Sequence, residues 1–163
     1  MRSILAAALS ASLAALGACS AADDATVPAA CSAAVNARLA QLIAEQHDGA
    51  VDNVMVCGTA FGASRPQRAG PHGGHQLIPL RVPLDADGRS APVEVVSNDA
   101  LDGRVTAPRG ATVFAFGQYF RTTAGQAPFV AGIHDVHCAT HRGAANGWVV
   151  VDGVKYPRAG CAR

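Results

Sequence analysis

The chain is poor in aromatic residues and in charge. Phe, Trp and Tyr make up 5% of its 163 residues, and Asp, Glu, Lys and Arg 15%. With one Trp and no interleaving of basic and aromatic residues, it lacks the stacking rings along a basic track that single-stranded nucleic acids need. Charge of either sign is nearly balanced, 13 Lys and Arg against 12 Asp and Glu. A general polyanion binder usually carries a clear basic excess, so general nucleic-acid binding is not expected. The G-x-S-x-G elbow, the P-loop and the dinucleotide fingerprint are absent, and with them the local support for the enzyme classes they announce. No internal repeat is visible. Past the first 18 residues no apolar run approaches the ~20 residues of a spanning helix.

What is present begins with an export signal. Arg2 supplies a positive n-region, and Ile4 to Leu16 is an apolar run too short to span a membrane, so residues 1–18 read as a signal peptide. The run ends in Leu16-Gly17-Ala18-Cys19, which resembles the lipobox of bacterial lipoproteins, where the cysteine becomes the lipidated first residue. Ordinary cleavage after Ala22, behind Ser20-Ala21-Ala22, is the alternative. Lipidation at Cys19 would attach the chain to a membrane. Ser20 rather than Asp at the next position points, by resemblance to enterobacterial sorting, to the periplasmic side of the outer membrane. Residues 19–30, small and polar around Pro28, then form a lipidated tether, and residues 31–163 a single domain. Losing Arg2 leaves 12 basic against 12 acidic groups.

Beyond the tether the pattern is first helical, then β. Val35, Leu39, Leu42 and Ile43 share one face of an amphipathic helix, with Ser32 as its expected N-cap and His47-Asp48-Gly49 as its end. Val51 to Phe61 predicts a strand, and Ser64 to Gly74 a Gly/Pro/Arg loop. Ile78, Leu80, Val82 and Leu84 alternate with Pro79 and Pro83, which predicts an edge or bulged strand. Further strands are expected at Pro92 to Ser97, Ala111 to Phe120 and Phe129 to Val136. Asp152-Gly153 predicts a hairpin between Trp148–Val151 and Val154–Tyr156. One helix and five to seven short strands describe a mainly β fold. Gly117 in the middle of Val113 to Tyr119 suits the bent strand of an OB-type barrel, so the expectation is a small OB-like β-barrel with one N-terminal helix, and a β-sandwich otherwise.

Four cysteines remain for the exported domain, and in an oxidising compartment an even number favours two disulfides from three connectivities. A helix over 31–46 spans about 24 Å. A strand returning from Asp48 covers about 30 Å, which brings Cys57 back near Cys31. The expected pairs are therefore Cys31–Cys57 and Cys138–Cys161.

Chemistry concentrates in His134-Asp135-Val136-His137-Cys138-Ala139-Thr140-His141, which holds three of the six histidines. His134, His137 and His141 follow an H-x2-H-x3-H spacing that could hold Zn²⁺, though it matches no standard zinc motif. Asp135 or the distant His75 are further ligand options. His72 and His75 lie in a Gly-rich stretch, and Trp148, behind Gly147, serves either as core or as a stacking wall. Cys138 beside His137 resembles a thiol nucleophile next to a base, which a disulfide would preclude.

The stretch from about Cys57 to Pro157 resembles a bacterial family of small exported proteins known as a domain of unknown function. The resemblance rests on His75-Gln76, Asn98, Gly117-Gln118-Tyr119, His134, His137 and Gly147-Trp148 in matching order. Cys138, Ala139, Thr140 and Ala144 stand where that family has His, Asp, Pro and His, and His141 lies off its pattern. The resemblance implies an OB-like fold and no established activity.

Three functional expectations follow. The first is an exported binding module for a small or oligomeric ligand, with a cleft lined by His75, His134, His137 and Trp148. The second is a metal-dependent hydrolase, of which a nuclease is one form, with Zn²⁺ on His134, His137 and His141 and a water activated beside Asp135. The third is a purely structural envelope lipoprotein with no ligand and no cofactor.

Overall fold

The computed structural model describes residues 25–70, 73–140 and 145–161. The signal segment, Cys19, His72 and His141 lie outside the described residues. Helix α1 (Ala37–Ala44) leads into β1 (Val51–Ala60), β2 (Arg65–Gly70), β3 (Gly73–Pro83) and β4 (Ser90–Asn98). A short helix α2 (Asp99–Asp102) follows, then β5 (Thr112–Phe120), a 3-10 turn (Ala124–Gln126), β6 (Ala131–His134), β7 (Trp148–Val151) and β8 (Val154–Tyr156).

Five strands close into a barrel in the order β1-β3-β4-β6-β5, with β5 pairing back onto β1 and β4 running parallel to β6. This is the expected OB-like barrel. Alternation decides what each strand contributes, because successive side chains point to opposite faces. Val54 and Val56, Ile78, Leu80 and Val82, Val93 and Val95, Val113 and Ala115, and Ile133 fill the interior. Helix α1 adds Leu39 and Leu42, both fully buried in the same core, and so plugs the barrel. Burying each leucine contributes on the order of 1.5–3 kcal/mol.

The helix is shorter than its pattern suggests, and Ser32 does not cap it. Residues 33–36 form a turn, and the N-cap is Asn36, whose side chain makes no capping bond. Asn36 is instead buried as a bracket: its Oδ1 accepts from the Cys57 N–H at 2.7 Å, and its Nδ2 donates to the Cys57 and Pro83 carbonyls at 3.1 and 2.9 Å. Tertiary hydrogen bonds outbid the local cap.

Three of the expected segments differ in the structure. The Ser64–Gly74 loop contains β2, which pairs with β3 alone (Arg65↔Leu77, Gln67↔His75). An edge strand tolerates Pro66, which is why proline content misled there. Conversely, β3 is interior to the sheet, flanked by β1, β2 and β4. Its Pro79 sits where β3 changes partner, between Leu77 opposite β2 and Leu80 opposite β1. There the missing N–H faces a gap, and only the Pro79 carbonyl is needed, accepting from Phe61 N–H at 3.0 Å. The strand expected over Phe129–Val136 is confined to Ala131–His134, since Asp135 has a left-handed φ of 51°.

Outside the barrel a second apolar cluster forms from Cys57, Phe114, Phe116, Trp148 and Val150, all on the outer face of β1, β5 and β7. Ala25, Val27, Cys31 and Val35 cover it. The segment expected to be a free tether is therefore docked from Ala25 onward. Both disulfides pair as expected, Cys31–Cys57 and Cys138–Cys161.

Candidate functional site

The strand register places the site residues. Opposite the interior Val93 and Val95, strand β4 turns Glu94, Val96 and Asn98 outward. Across the β3–β4 ladder His75 faces Asn98 and Leu77 faces Val96, while Gln67 of β2 faces His75. Strand β6 brings His134 to the same outer wall beside Val96. The turn after it carries Asp135, whose left-handed backbone folds the chain back so that His137 joins them. His75, Asn98, His134, Asp135 and His137 line one cleft, in which adjoining cavities of about 100 and 340 Å³ share all five residues. Thr140 and the half-exposed Leu101 of α2 form its rim.

Asp135 is the hub. Its Oδ1 lies 3.4 Å from His134 Nδ1 and 3.6 Å from His137 Nε2. His137 Nδ1 donates to the Cys138 carbonyl at 2.9 Å. In a neutral ring that bond leaves a bare lone pair on Nε2, so two acceptors, Nε2 and the carboxylate, face each other across the cleft. A positive charge placed between them, a proton or a metal ion, satisfies both. Burial pushes the His134 imidazole below the ordinary histidine range; Asp135 opposes that shift and His137 reinforces it. On the far side, the His75 Nε2 to Asn98 Nδ2 distance is 3.5 Å, and Asn98 Oδ1 caps α2 by accepting from Ala100 N–H.

Asp102 of α2 is 2% exposed and lies close enough to His137 and Asp135 to feel their charges. Its Oδ2 accepts from the Asn98 N–H at 2.6 Å, and its Oδ1 makes no hydrogen bond among the described residues. Burial raises its carboxyl to about 6, against a smaller lowering from the Asn98 bond and from His137.

Trp148 does not line this cleft. It is 1% exposed in the second apolar cluster, stacked on Phe116 with ring centres 6.1 Å apart, and its indole N–H donates to the Ala25 carbonyl at 2.9 Å. The outward-facing positions of β7 point at the covering segment rather than at the β3–β4 wall. What joins the tryptophan to the site is its neighbour. A Cβ on Gly147 would collide with the Asp135 carbonyl, come within 2.8 Å of the Phe116 carbonyl and within 2.9 Å of His137 N. Gly147 N–H donates to the His137 carbonyl at 2.7 Å. Gly147 thus seats the 135–137 turn on the barrel, while the adjacent Trp148 belongs to the covered face.

For metal ligation, His134 and His137 both face Asp135, whereas His141 lies outside the described residues. Among the described residues no three His, Cys, Asp or Glu side chains are grouped closely enough to hold an ion. Cys138 is oxidised in its disulfide, which removes it as a nucleophile or thiolate ligand.

Sequence reasoning missed Glu94, Phe120, Gln126 and Asp102. The signal for Glu94 was available: it is the one charged residue within the apolar run Val93 to Val96. The others are brought in by pairing and loop geometry. The chain matches no family model, no curated protein and no solved structure.

Proposed function

We propose that this chain is an exported, lipid-anchored binding protein of the cell envelope, held through Cys19 to the periplasmic side of the outer membrane, whose barrel wall takes a small polar ligand. The observation that supports this most is the convergence of His75 and Asn98 from paired strands with His134, Asp135 and His137 from one turn, in a single cleft. Such a cleft offers hydrogen-bond donors and acceptors on fixed strands, which is what orientation of a small ligand requires. Two disulfides suit an oxidising compartment.

Trp148 emission is a poor reporter here, because the ring is sealed away from the cleft. The test is a titration of isotope-labelled protein with sugars, nucleotides, amino acids and divalent metals, following the imidazole resonances of His75, His134 and His137. Saturable shifts at all three with one ligand class support the reading. Indifference to every class removes it and leaves the structural-lipoprotein alternative.

A second reading is favoured by one contact, the Nδ1 bond of His137 to the Cys138 carbonyl, since ligating histidines are commonly oriented this way. In that reading the chain is a metal-dependent hydrolase with Zn²⁺ on His134, His137 and either His141 or His75. Metal analysis of untagged protein decides: a stoichiometric ion lost in His134→Ala establishes it, and no ion rejects it.

A further inference from the structure

The cleft does not end at His134. That residue and Val96 also border a further cavity of about 270 Å³, lined by Gln67, Glu94, Phe120 and Gln126. The wall is continuous because Glu94, Val96 and Asn98 succeed one another on the outer face of β4. Glu94 is 1% exposed, yet only one of its oxygens is occupied: Oε1 accepts from Gln126 Nε2 at 2.6 Å. Its Oε2 makes no hydrogen bond among the described residues, although Glu94 lines the cavity. Gln126 is itself fixed, its Oε1 accepting from Thr123 N–H at 2.9 Å in a capping box. Gln67 carries an amide with no hydrogen-bond partner among the described residues.

Phe120 forms the flat element of this extension. Its ring lies against Gly132, where an added Cβ would strike it, and meets the His134 ring edge-on at 5.1 Å. The groove therefore runs from a phenyl ring flanked by a carboxyl and amides, past His134, to the paired His75 and Asn98.

We propose that this groove binds a neutral, linear oligosaccharide, with one sugar ring against Phe120 and Glu94 and the next beside His134 and His75. The inference rests on the binding reading above and extends it to a ligand class. Three observations select that class. Amide and imidazole groups both donate and accept, which matches hydroxyls. A phenyl face suits the C–H face of a sugar. The carboxyl groups of Glu94 and Asp135 disfavour a phosphate backbone, and among the described residues Arg65 is the cation acting on Glu94. Burial holds the Glu94 carboxyl above its ordinary value, against the Gln126 bond and Arg65.

Isothermal titration with N-acetylglucosamine and glucose oligomers of one to six units tests this, with oligothymidylate as the competing chain. Affinity is expected to rise at least tenfold from the monosaccharide to the disaccharide. Phe120→Leu, which keeps a cover over Gly132 but removes the flat ring, and Glu94→Gln are expected to abolish that gain. Both variants should keep the imidazole shifts of His75 and His137 produced by the monosaccharide. A small ligand that shifts the histidines, with no gain from length or with equal gains in both variants, overturns the groove and spares the binding reading. Length-dependent binding of oligothymidylate alone overturns the ligand class. Silence of all three histidines toward every small ligand overturns the binding reading itself.

Discussion

One barrel presents two outer faces, and they are built on opposite principles. On β1, β5 and β7 the outward positions are Met55, Cys57, Phe114, Phe116, Trp148 and Val150, and residues 25–35 are laid over them and held by Cys31–Cys57. On β3, β4 and β6 the outward positions include His75, Glu94, Asn98 and His134, and a cleft remains above them. Strand β5 belongs to both: Phe114 and Phe116 face the covering segment, while Phe120, further along the same side, borders the groove. A strand whose interior side is uniformly apolar can thus change its exterior role within four residues. The sealed face is where stability is added, and the open face is where buried polar groups are carried at a cost.

The largest expected effect breaks the sealed face. Trp148→Ala removes the most voluminous fully buried side chain together with its bond to Ala25. A loss of about 3–5 kcal/mol is expected in urea denaturation. If the two faces are independent beyond Gly147, the cleft histidines of the folded variant should titrate as in the parent. A loss under 1 kcal/mol would mean that the covering segment is not seated as described.

Next come the disulfides, which sharpen the comparison because one staples each face. Their loops are similar, 26 and 23 residues, so restriction of the unfolded chain gives nearly equal contributions, about 2–4 kcal/mol each. The difference must come from the folded state. Cys57 is fully buried and bracketed by Asn36, whereas Cys138 is half-buried on the turn beside the cleft. Replacing Cys31 and Cys57 by Ala should therefore cost more than replacing Cys138 and Cys161. The second pair should instead disturb the resonances of His137. Equal losses with no change at His137 would argue against a positioning role for the Cys138–Cys161 bridge.

Gly147 is the hinge between the faces. Gly147→Ala forces a methyl group toward Asp135 O and His137 N, and is expected to cost about 1–3 kcal/mol as an overpacked site. It should also weaken any ligand of the cleft, which Trp148→Ala should not. A variant with parental stability and parental His137 shifts would show that the turn accommodates a side chain there.

How much of this was legible beforehand follows from range. The barrel, the plugging helix, the hairpin at Asp152-Gly153 and both disulfides were readable, because alternation, helical period and chain length are local properties. The histidine turn was readable as a concentration of groups. Its partners were not: Asn98 reaches His75 only through the β3–β4 register, and Asp102 comes within reach of the His137 and Asp135 charges only through α2. Trp148 was misplaced for the same reason. Nothing near residue 148 tells which outer face a β7 side chain will occupy, and the residue that seals it, Ala25, is 123 positions away.

The second apolar cluster contains no titrating side chain, so pH dependence near neutrality should arise on the open side. Asp102 and Glu94, both raised by burial, act there against His134, which burial lowers. In the folded chain Asp102 takes a proton near pH 6, well above its ordinary 3.8. The folded state therefore binds the extra proton between these values, and stability falls as pH rises from about 4 to 6 and stays lowered above that. His134 is held below its ordinary 6.5 by burial, so the unfolded state binds the extra proton, and stability falls as pH drops beneath 6.5. Asp102→Asn removes the first effect and leaves the second. A shift of about two units corresponds to ~3 kcal/mol at most. The amide forfeits part of that, because it accepts the Asn98 N–H less strongly than a carboxylate does. Asp102→Asn should accordingly be more stable than the parent by on the order of 1–2 kcal/mol at pH 7.5, with the advantage gone by pH 4, where both side chains are neutral. Between pH 5 and 7 the variant's stability should rise more steeply than the parent's, because the histidine effect is then opposed by Glu94 alone. Urea denaturation at pH 4, 6 and 7.5 resolves these windows. If Asp102→Asn were instead destabilised most at pH 7.5, the free Oδ1 would have to be serving a cation, and the open face would be a charged site rather than a neutral one.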